Sequence, residues 1–534
     1  MINVRQFPVA LLLIASLGLG LPAAHAQLVD SSQAYPVVPG GQINKSLTGQ
    51  MGAGHGDINT AGSAVYLIKR DPARSIRRGR QLFQRKFTLD QGFGPRVTRD
   101  STGDIHAKAA LGAGLVDSCA GCHGRPRGAA GFGGDVVTRP DSRDAPHLFG
   151  LGLQEQLADE ITRDLRAIEA RARSMAVQSG APATLPLQSK SISYGTLRAF
   201  PNGTVDRSRV RGVDPDLRVR PFFAEGREFS IRAFSVGAFN DEMGLQAPDP
   251  VLCAATDPNG ATAQVTPAGL RLDPATDGLN RPAVCSPGDD PDQDGVTNEV
   301  DAALVDHMEF YLLNYFKPGV GRTTEHSEFG RRLMKSIGCT SCHVPDLTIK
   351  NDRRVADVET RHDPQRGIFN RLFATASTRF KTVDDGDAYP QVVPLAESFV
   401  VRNIYTDFRR HDLGPAFHER RYDGSLETLF MTEPLWGAGT SAPYGHDGRS
   451  INLEEVILRH GGEAQRSRNT FAALREGQRQ AILEFLNTLI LFPPDDTASN
   501  LNPGKPGTGS PQDPAEHGSI NLGALFLISS EGAE

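Results

Sequence analysis

Apolar and polar positions along the chain alternate at several different periods. An unbroken apolar run from Val9 to Leu21 follows Arg5 and ends before Ala24-His25-Ala26, a small-x-small cleavage site. Residues 1–26 therefore read as a secretory signal peptide, too short for a lasting bilayer span. Residues 27–74 read as an N-terminal extension. Over residues 153–178, Leu157, Ile161, Leu165 and Ile168 recur on one helical face, which predicts an amphipathic scaffold helix. Ala302 to Phe316 predicts another helix. Asn452 with Glu455 suits a capping box, and Leu453, Val456, Ile457 and His460 then share a face until Gly461-Gly462 stops the helix. Two short copies of one pattern, Gly79-Arg80-Gln81-Leu82-Phe83 and Gly330-Arg331-Arg332-Leu333-Met334, predict two similar helices. A stretch rich in Pro, Asp and Gly over 248–290 reads as a surface loop. The end of the chain reads as a linker and tail, 496–534, with an apolar segment from Leu522 to Ile528. The expected fold class is mainly α.

Composition narrows the picture modestly. With 57 basic against 63 acidic residues and a single Trp, there is no basic stripe and no sign of a nucleic-acid partner. After the leader, no segment is long and apolar enough to suggest a membrane span. There are six cysteines, and four of them carry the chemistry.

Each of the two haem-type motifs reads Cys-x-x-Cys-His: Cys119, Cys122, His123 and Cys339, Cys342, His343. Two thiols at this spacing can each add to a haem vinyl group, and the next residue's imidazole is then held against the iron. A zinc ribbon would need its two halves about 15–20 residues apart, and these motifs lie far further apart. A redox dithiol has no need of the adjacent His. Both sites therefore predict covalent haem c, two per chain. Each preceding Gly-Arg-x-Leu helix then leads into an attachment site. The expected organisation is two cytochrome-c-like domains, each wrapping one haem, with long loop insertions: 75–320 containing the insertion 248–300, and 321–495. Export would place the protein in the periplasm or outside the cell, where Cys253 and Cys285 are able to pair.

Within the insertion, Asp290, Asp292, Asp294, Asn298 and Asp301 place oxygens at loop positions 1, 3, 5, 9 and 12 around Gly295. That spacing suits a calcium loop. A solvated acidic turn is the alternative.

The C-terminal half carries the most specific stretches: Pro443-Tyr444-Gly445-His446-Asp447-Gly448-Arg449, Leu453 to Ala464, and Tyr405-Thr406-Asp407 with His411-Asp412-Leu413-Gly414. With the two haem motifs, these resemble the bacterial di-haem oxidoreductase family, some of whose members are labelled thiol oxidoreductases. It is related to the di-haem cytochrome c peroxidases, the methylamine dehydrogenase-maturing di-haem enzymes and the rubber oxygenases. The resemblance spans roughly residues 75–495, outside the 248–300 insertion.

The resemblance implies roles at matched positions. His446 falls where the peroxidases have the His of their Pro-Tyr-x-His-Asp-Gly stretch. His460 stands where many peroxidases have the Met that binds the C-terminal haem iron, which implies His343 and His460 as axial ligands. A second imidazole in place of a thioether lowers the potential, so this haem should not copy the high-potential electron-entry haem of the peroxidases. Phe239-Asn240-Asp241-Glu242-Met243 resembles the peroxidase stretch that carries an acid over the substrate-binding haem, which implies Glu242 as acid–base. His147, the nearest candidate for a sixth ligand to the N-terminal iron, matches a loop without a ligand, so that iron is expected to be open or weakly closed. Trp436 carries two readings, an aromatic relay between haems or a core residue.

Three functions fit. The first is a di-haem enzyme of the peroxidase class, using a small oxidant (peroxide or dioxygen), with a small redox protein as donor. The second is an electron-transfer cytochrome without catalysis. The third is a dioxygenase similar to the rubber oxygenases.

Overall fold

The computed structural model describes residues 47–85, 87, 118–123, 134–135, 143–291, 295–315, 317–365, 371–421 and 423–491. The expected signal peptide and tail, with Asp292 and Asp294 of the expected calcium loop, lie outside them.

The expectation of a mainly α fold is wrong. The described residues form 12 α-helices but also 19 strands in several small sheets. Twelve of the strands, from Gly319–Val320 to Leu489–Ile490, lie in the C-terminal half of the chain. An antiparallel hairpin, Ala183–Ser189 with Ile192–Ala199, packs on the long helix Leu151–Ser179. Ala356–His362 pairs with Leu372–Thr378 in a four-stranded sheet. Many other strands are two residues long, too short for alternation to register.

The helices follow the hydrophobic pattern more closely. In Leu151–Ser179, Leu157, Ile161 and Leu165 are fully buried and Ile168 is partly so. The stretch predicted from Ala302 is helical over Ala302–Leu313, with the Asp301 carboxylate accepting from Ala303 N at 2.8 Å as N-cap.

The repeated Gly-Arg-x-Leu pattern marks the same feature twice. Helix Pro72–Gln84 crosses Ala302–Leu313, and helix Glu325–Ser336 crosses Glu476–Asn487. A Cβ at Gly79 would stand 2.1 Å from the His307 carbonyl oxygen, and one at Gly330 would stand 1.8 Å from that of Ala481. Only glycine lets the two backbones approach this closely.

Cys253 and Cys285 form a disulfide, with Cα atoms 5.6 Å apart, closing the loop rich in Pro, Asp and Gly.

Candidate haem sites

The C-terminal motif sits at the end of helix Glu325–Ser336. Gly338 takes a left-handed turn, Cys339–Ser341 form a single 3-10 turn, and His343 follows. The His343 ring donates from Nδ1 to the Tyr405 carbonyl at 3.1 Å. His460 ends the helix Leu453–Arg459 as its C-cap, and its Nδ1 donates to the Val456 carbonyl at 2.7 Å. With Nδ1 carrying the proton, each ring keeps Nε2 as its lone-pair nitrogen, the state an iron ligand requires. Burial pulls His343 down to about 4, and nearby His460 pushes in the same direction. Burial also lowers His460. Both rings are thus neutral and close to each other.

The predicted capping box is half realised. The Asn452 side chain accepts from Glu455 N at 2.8 Å, but the Glu455 carboxylate reaches back to Ile451 N, at 2.9 Å. Phe417 packs edge-on against the His460 ring, and Arg459 covers Phe417 while pairing with Asp447.

The N-terminal motif is a short helix, Cys119–Cys122, capped by the Ser118 hydroxyl accepting from Gly121 N at 3.0 Å. His123 donates from Nδ1 to the Pro146 carbonyl at 2.7 Å, and burial lowers its pKa. Phe234 lies edge-on to its ring. His147 is near but spends both ring nitrogens: Nε2 donates to the Trp436 carbonyl at 2.9 Å, and Nδ1 accepts from Phe149 N at 3.2 Å. Burial pulls it to about 4. Trp436 is a packed side chain, 4% exposed, with its ring against Gly150 and its indole N–H donating to the Arg402 carbonyl.

The two haem motifs suit the group they imply. Cys119, Cys122, Cys339 and Cys342 are outside any disulfide, and burial keeps Cys119 and Cys339 as thiols, pushed up to about 12 and 11.

Glu242 ends a π-helical turn, Ala238–Glu242, and is half-buried. Beside it, burial raises the Asp241 carboxyl to about 6, against the pull of Arg227. Of the calcium positions, Asp290 accepts from Gly295 N at 3.0 Å, and the Asn298 side-chain amide donates to Asp301 at 3.1 Å. Asn298 adopts a left-handed backbone.

Two groupings were not assembled from the sequence, although His446, Asp407, His411 and Glu463 lie in its motifs. Arg143 forks onto Glu419 and pairs with Glu225, while His446 stacks on Phe430 at 4.1 Å and lies 3.5 Å from Glu419. Near Cys342, His411 lies between Asp407, at 3.0 Å, and Glu463, at 2.9 Å. Burial opposes its charge, but hydrogen bonds to Asp407 and Cys342 prevail and raise it to about 10. The motif residues were visible in the sequence; their partners, far along the chain, were not.

Residues 351–489 match the family model described as "Di-haem oxidoreductase, putative peroxidase", the family that the sequence motifs resemble. No curated protein matches the chain. Among solved structures, it is similar to the hydrazine synthase of Kuenenia stuttgartiensis pressurised with 20 bar xenon. The identity is 15%, covering 36% of this chain and 56% of that one, with a TM-score of 0.22. The chain spans about half the length of that neighbour, and a likeness at this level carries nothing about function.

Proposed function

With residues 351–489 matching the di-haem oxidoreductase family as the premise, we propose that this chain is an exported di-haem c-type oxidoreductase of the peroxidase class. Peroxide or dioxygen chemistry takes place at the N-terminal haem, and electrons pass through the C-terminal one. The observation that carries this reading is the asymmetry of the two sites. Beside His343 stands a second neutral imidazole, His460, with Nε2 as its lone-pair nitrogen. Beside His123 stands His147, with both nitrogens already engaged. A site with two free imidazole nitrogens would suit an iron that stores and passes an electron; one where His147, the second histidine there among the described residues, offers none would suit an iron that binds an oxidant.

When bound, haem supplies an iron that exchanges electrons and takes an oxygen donor at its open side. The chain's own residues do the rest. His123 and His343 would each hold one iron through Nε2, and His460 would be the second ligand of the C-terminal one. Glu242 moves a proton from one peroxide oxygen to the other. Its place in a π-turn is one that recurs at functional sites. Asp241, raised to about 6 by burial, has an acidity suited to the same task at neutral pH.

Glu242→Gln should keep both haems and their spectra and lose peroxide-driven turnover by about a hundred- to ten-thousand-fold. If only Asp241→Asn shows that loss, the acid–base is Asp241. If both variants react as fast as the parent, or the N-terminal haem is six-coordinate and inert to peroxide, the electron-transfer reading replaces this one.

The reading includes a calcium ion at the Asp290–Asp301 loop. Supporting it, the Asn298 side-chain oxygen Oδ1 is buried without a hydrogen-bond partner among the described residues, and Asp301 caps the following helix. Metal analysis finding no calcium at millimolar supply would remove it. The donor is a small redox protein, and the location is the periplasm or the exterior. Among the described residues, no helix is long and apolar enough to cross a membrane.

A further inference from the structure

The stretch His411–Gly414 and the residues just after His460 clasp each other. Gly461 N donates to the Leu413 carbonyl at 2.8 Å, and Glu463 N donates to that of Asp412 at 2.9 Å. In return, Asp412 N donates to Glu463 Oε1 at 3.2 Å, and the His411 ring donates from Nδ1 to Glu463 Oε2 at 2.9 Å. Between the strands of this clasp lies Gly462, at φ 49°. A Cβ there would stand 2.1 Å from the Asp412 carbonyl oxygen.

The other side of His411 leads to the opposite ligand. Its Nε2 donates to Asp407 Oδ2 at 3.0 Å, and Asp407 is fully buried. Two residues earlier, the Tyr405 carbonyl accepts from His343. One run of contacts through Asp407, His411 and Glu463 therefore joins the segments that carry His343 and His460.

His460 needs such support. Its helix has two turns, with only Leu453 buried, and His460 itself has left the helical backbone, at φ −58° and ψ 123°. An imidazolium between two carboxylates makes charge-assisted hydrogen bonds, stronger than neutral ones. Resting on the reading of His460 as sixth ligand, we propose that Asp407, His411 and Glu463 are positioning residues, a latch that holds His460 on the C-terminal iron. Opening the latch exposes that iron to small exogenous ligands. The Glu463 side chain is half-exposed, so the latch can be altered from the surface without disturbing the core.

The test uses the full-length protein with both haems attached. Carbon monoxide affinity of the reduced protein and the ferric EPR spectrum are measured for Glu463→Gln, His411→Gln and His460→Ala. Loss of one hydrogen bond to a charged group corresponds to about a tenfold or larger effect. Glu463→Gln should therefore raise carbon monoxide affinity at the C-terminal haem about tenfold or more and add a high-spin ferric component. His411→Gln should do the same, and the double variant should add little to either, because the two share one link. His460→Ala should give a fully open iron. If His460→Ala opens the iron but Glu463→Gln leaves affinity and spectrum at parental values, the latch is refuted while the ligand assignment stands. If His460→Ala itself keeps the parental low-spin signal, the ligand assignment fails and the latch falls with it. Glu463→Gln decides the matter even where His411→Gln, at a buried position, fails to fold.

Discussion

At His123, His343 and His460, a backbone carbonyl takes the Nδ1 proton and leaves the other nitrogen to bind; at His147 both nitrogens are spent. That difference leaves His147 without a nitrogen to offer a metal, and its burial gives it a pH signature. Its folded pKa is about 4, below the ordinary 6.5, because burial disfavours the charged form. Such a group contributes stability above pH 6.5, and loses it as pH falls from about 6.5 toward about 4. His446, also pulled to about 4 by burial, acts in the same window. Iron-bound histidines would not titrate there. His147→Gln keeps a donor for the Trp436 carbonyl but cannot be charged, so its melting temperature should fall less steeply than the parent's between pH 6.5 and 4. Parallel acid limbs in the two profiles would refute this. The Cys-x-x-Cys-His residues stand out in the sequence because haem attachment needs them at adjacent positions. His460 was singled out from a predicted helical face, but the helix ends at Arg459 and His460 is its C-cap, off the helical backbone. Asp241 and His411 were not read as chemical groups, because what tunes them is burial and partners far away in sequence.

At the scale of elements, what the sequence revealed depended on length. The helix Leu151–Ser179 is long enough for its apolar stripe to repeat many times. The hairpin beside it turns at Lys190 and Ser191, both with positive φ. Such two-residue turns ordinarily announce themselves by Asn-Gly or Asp-Gly, and Lys-Ser carries no such signal. Pro186 in its first strand, at an irregularity in the pairing, argues further against a strand. The fold class was misjudged for this reason. The Gly79 and Gly330 crossings are the opposite case, since a repeated local pattern marks a repeated contact. Gly330→Ala must push apart the Glu325–Ser336 and Glu476–Asn487 helices. It should cost about 1–3 kcal/mol, the range for overpacking a close contact, and Gly79→Ala should cost a similar amount. Gly477, with open space where its Cβ would stand, is the control; alanine there should be neutral or stabilising by up to about 1 kcal/mol. Chemical denaturation of the three variants measures the differences, and equal midpoints for Gly330→Ala and Gly477→Ala would contradict the close-crossing account.

At the scale of the whole molecule, the hydrophobic cores do not divide as the two haem motifs do. One core joins Leu153, Ile161, Tyr194 and Val219 to Ile349, Val401, Phe408 and Trp436. Another joins Leu82, Phe239 and Leu312 to Val355, Val358, Val392 and Leu491. A third, around Met334, Tyr405, Phe471 and Phe485, belongs to the C-terminal residues alone. Polar contacts follow the same course: Arg353 pairs with Glu155, Lys190 donates to the Thr348 carbonyl, and Arg143 pairs with Glu419. Cutting the chain near residue 320 would expose apolar surface on both sides of two cores, at about 25 cal/mol per Å² of newly exposed area. It would also strand Arg143 from Glu419, and removing one partner of a buried pair is strongly destabilising. The two haem-bearing parts should therefore unfold together. Calorimetry of the full-length holoprotein should show one transition, with absorbance at both haems changing at the same temperature. A fragment covering 321–495, expressed with its haem, should melt well below the intact protein. Two separated transitions, or a fragment as stable as the whole, would mean that the shared cores contribute little and that each haem unit stands on its own.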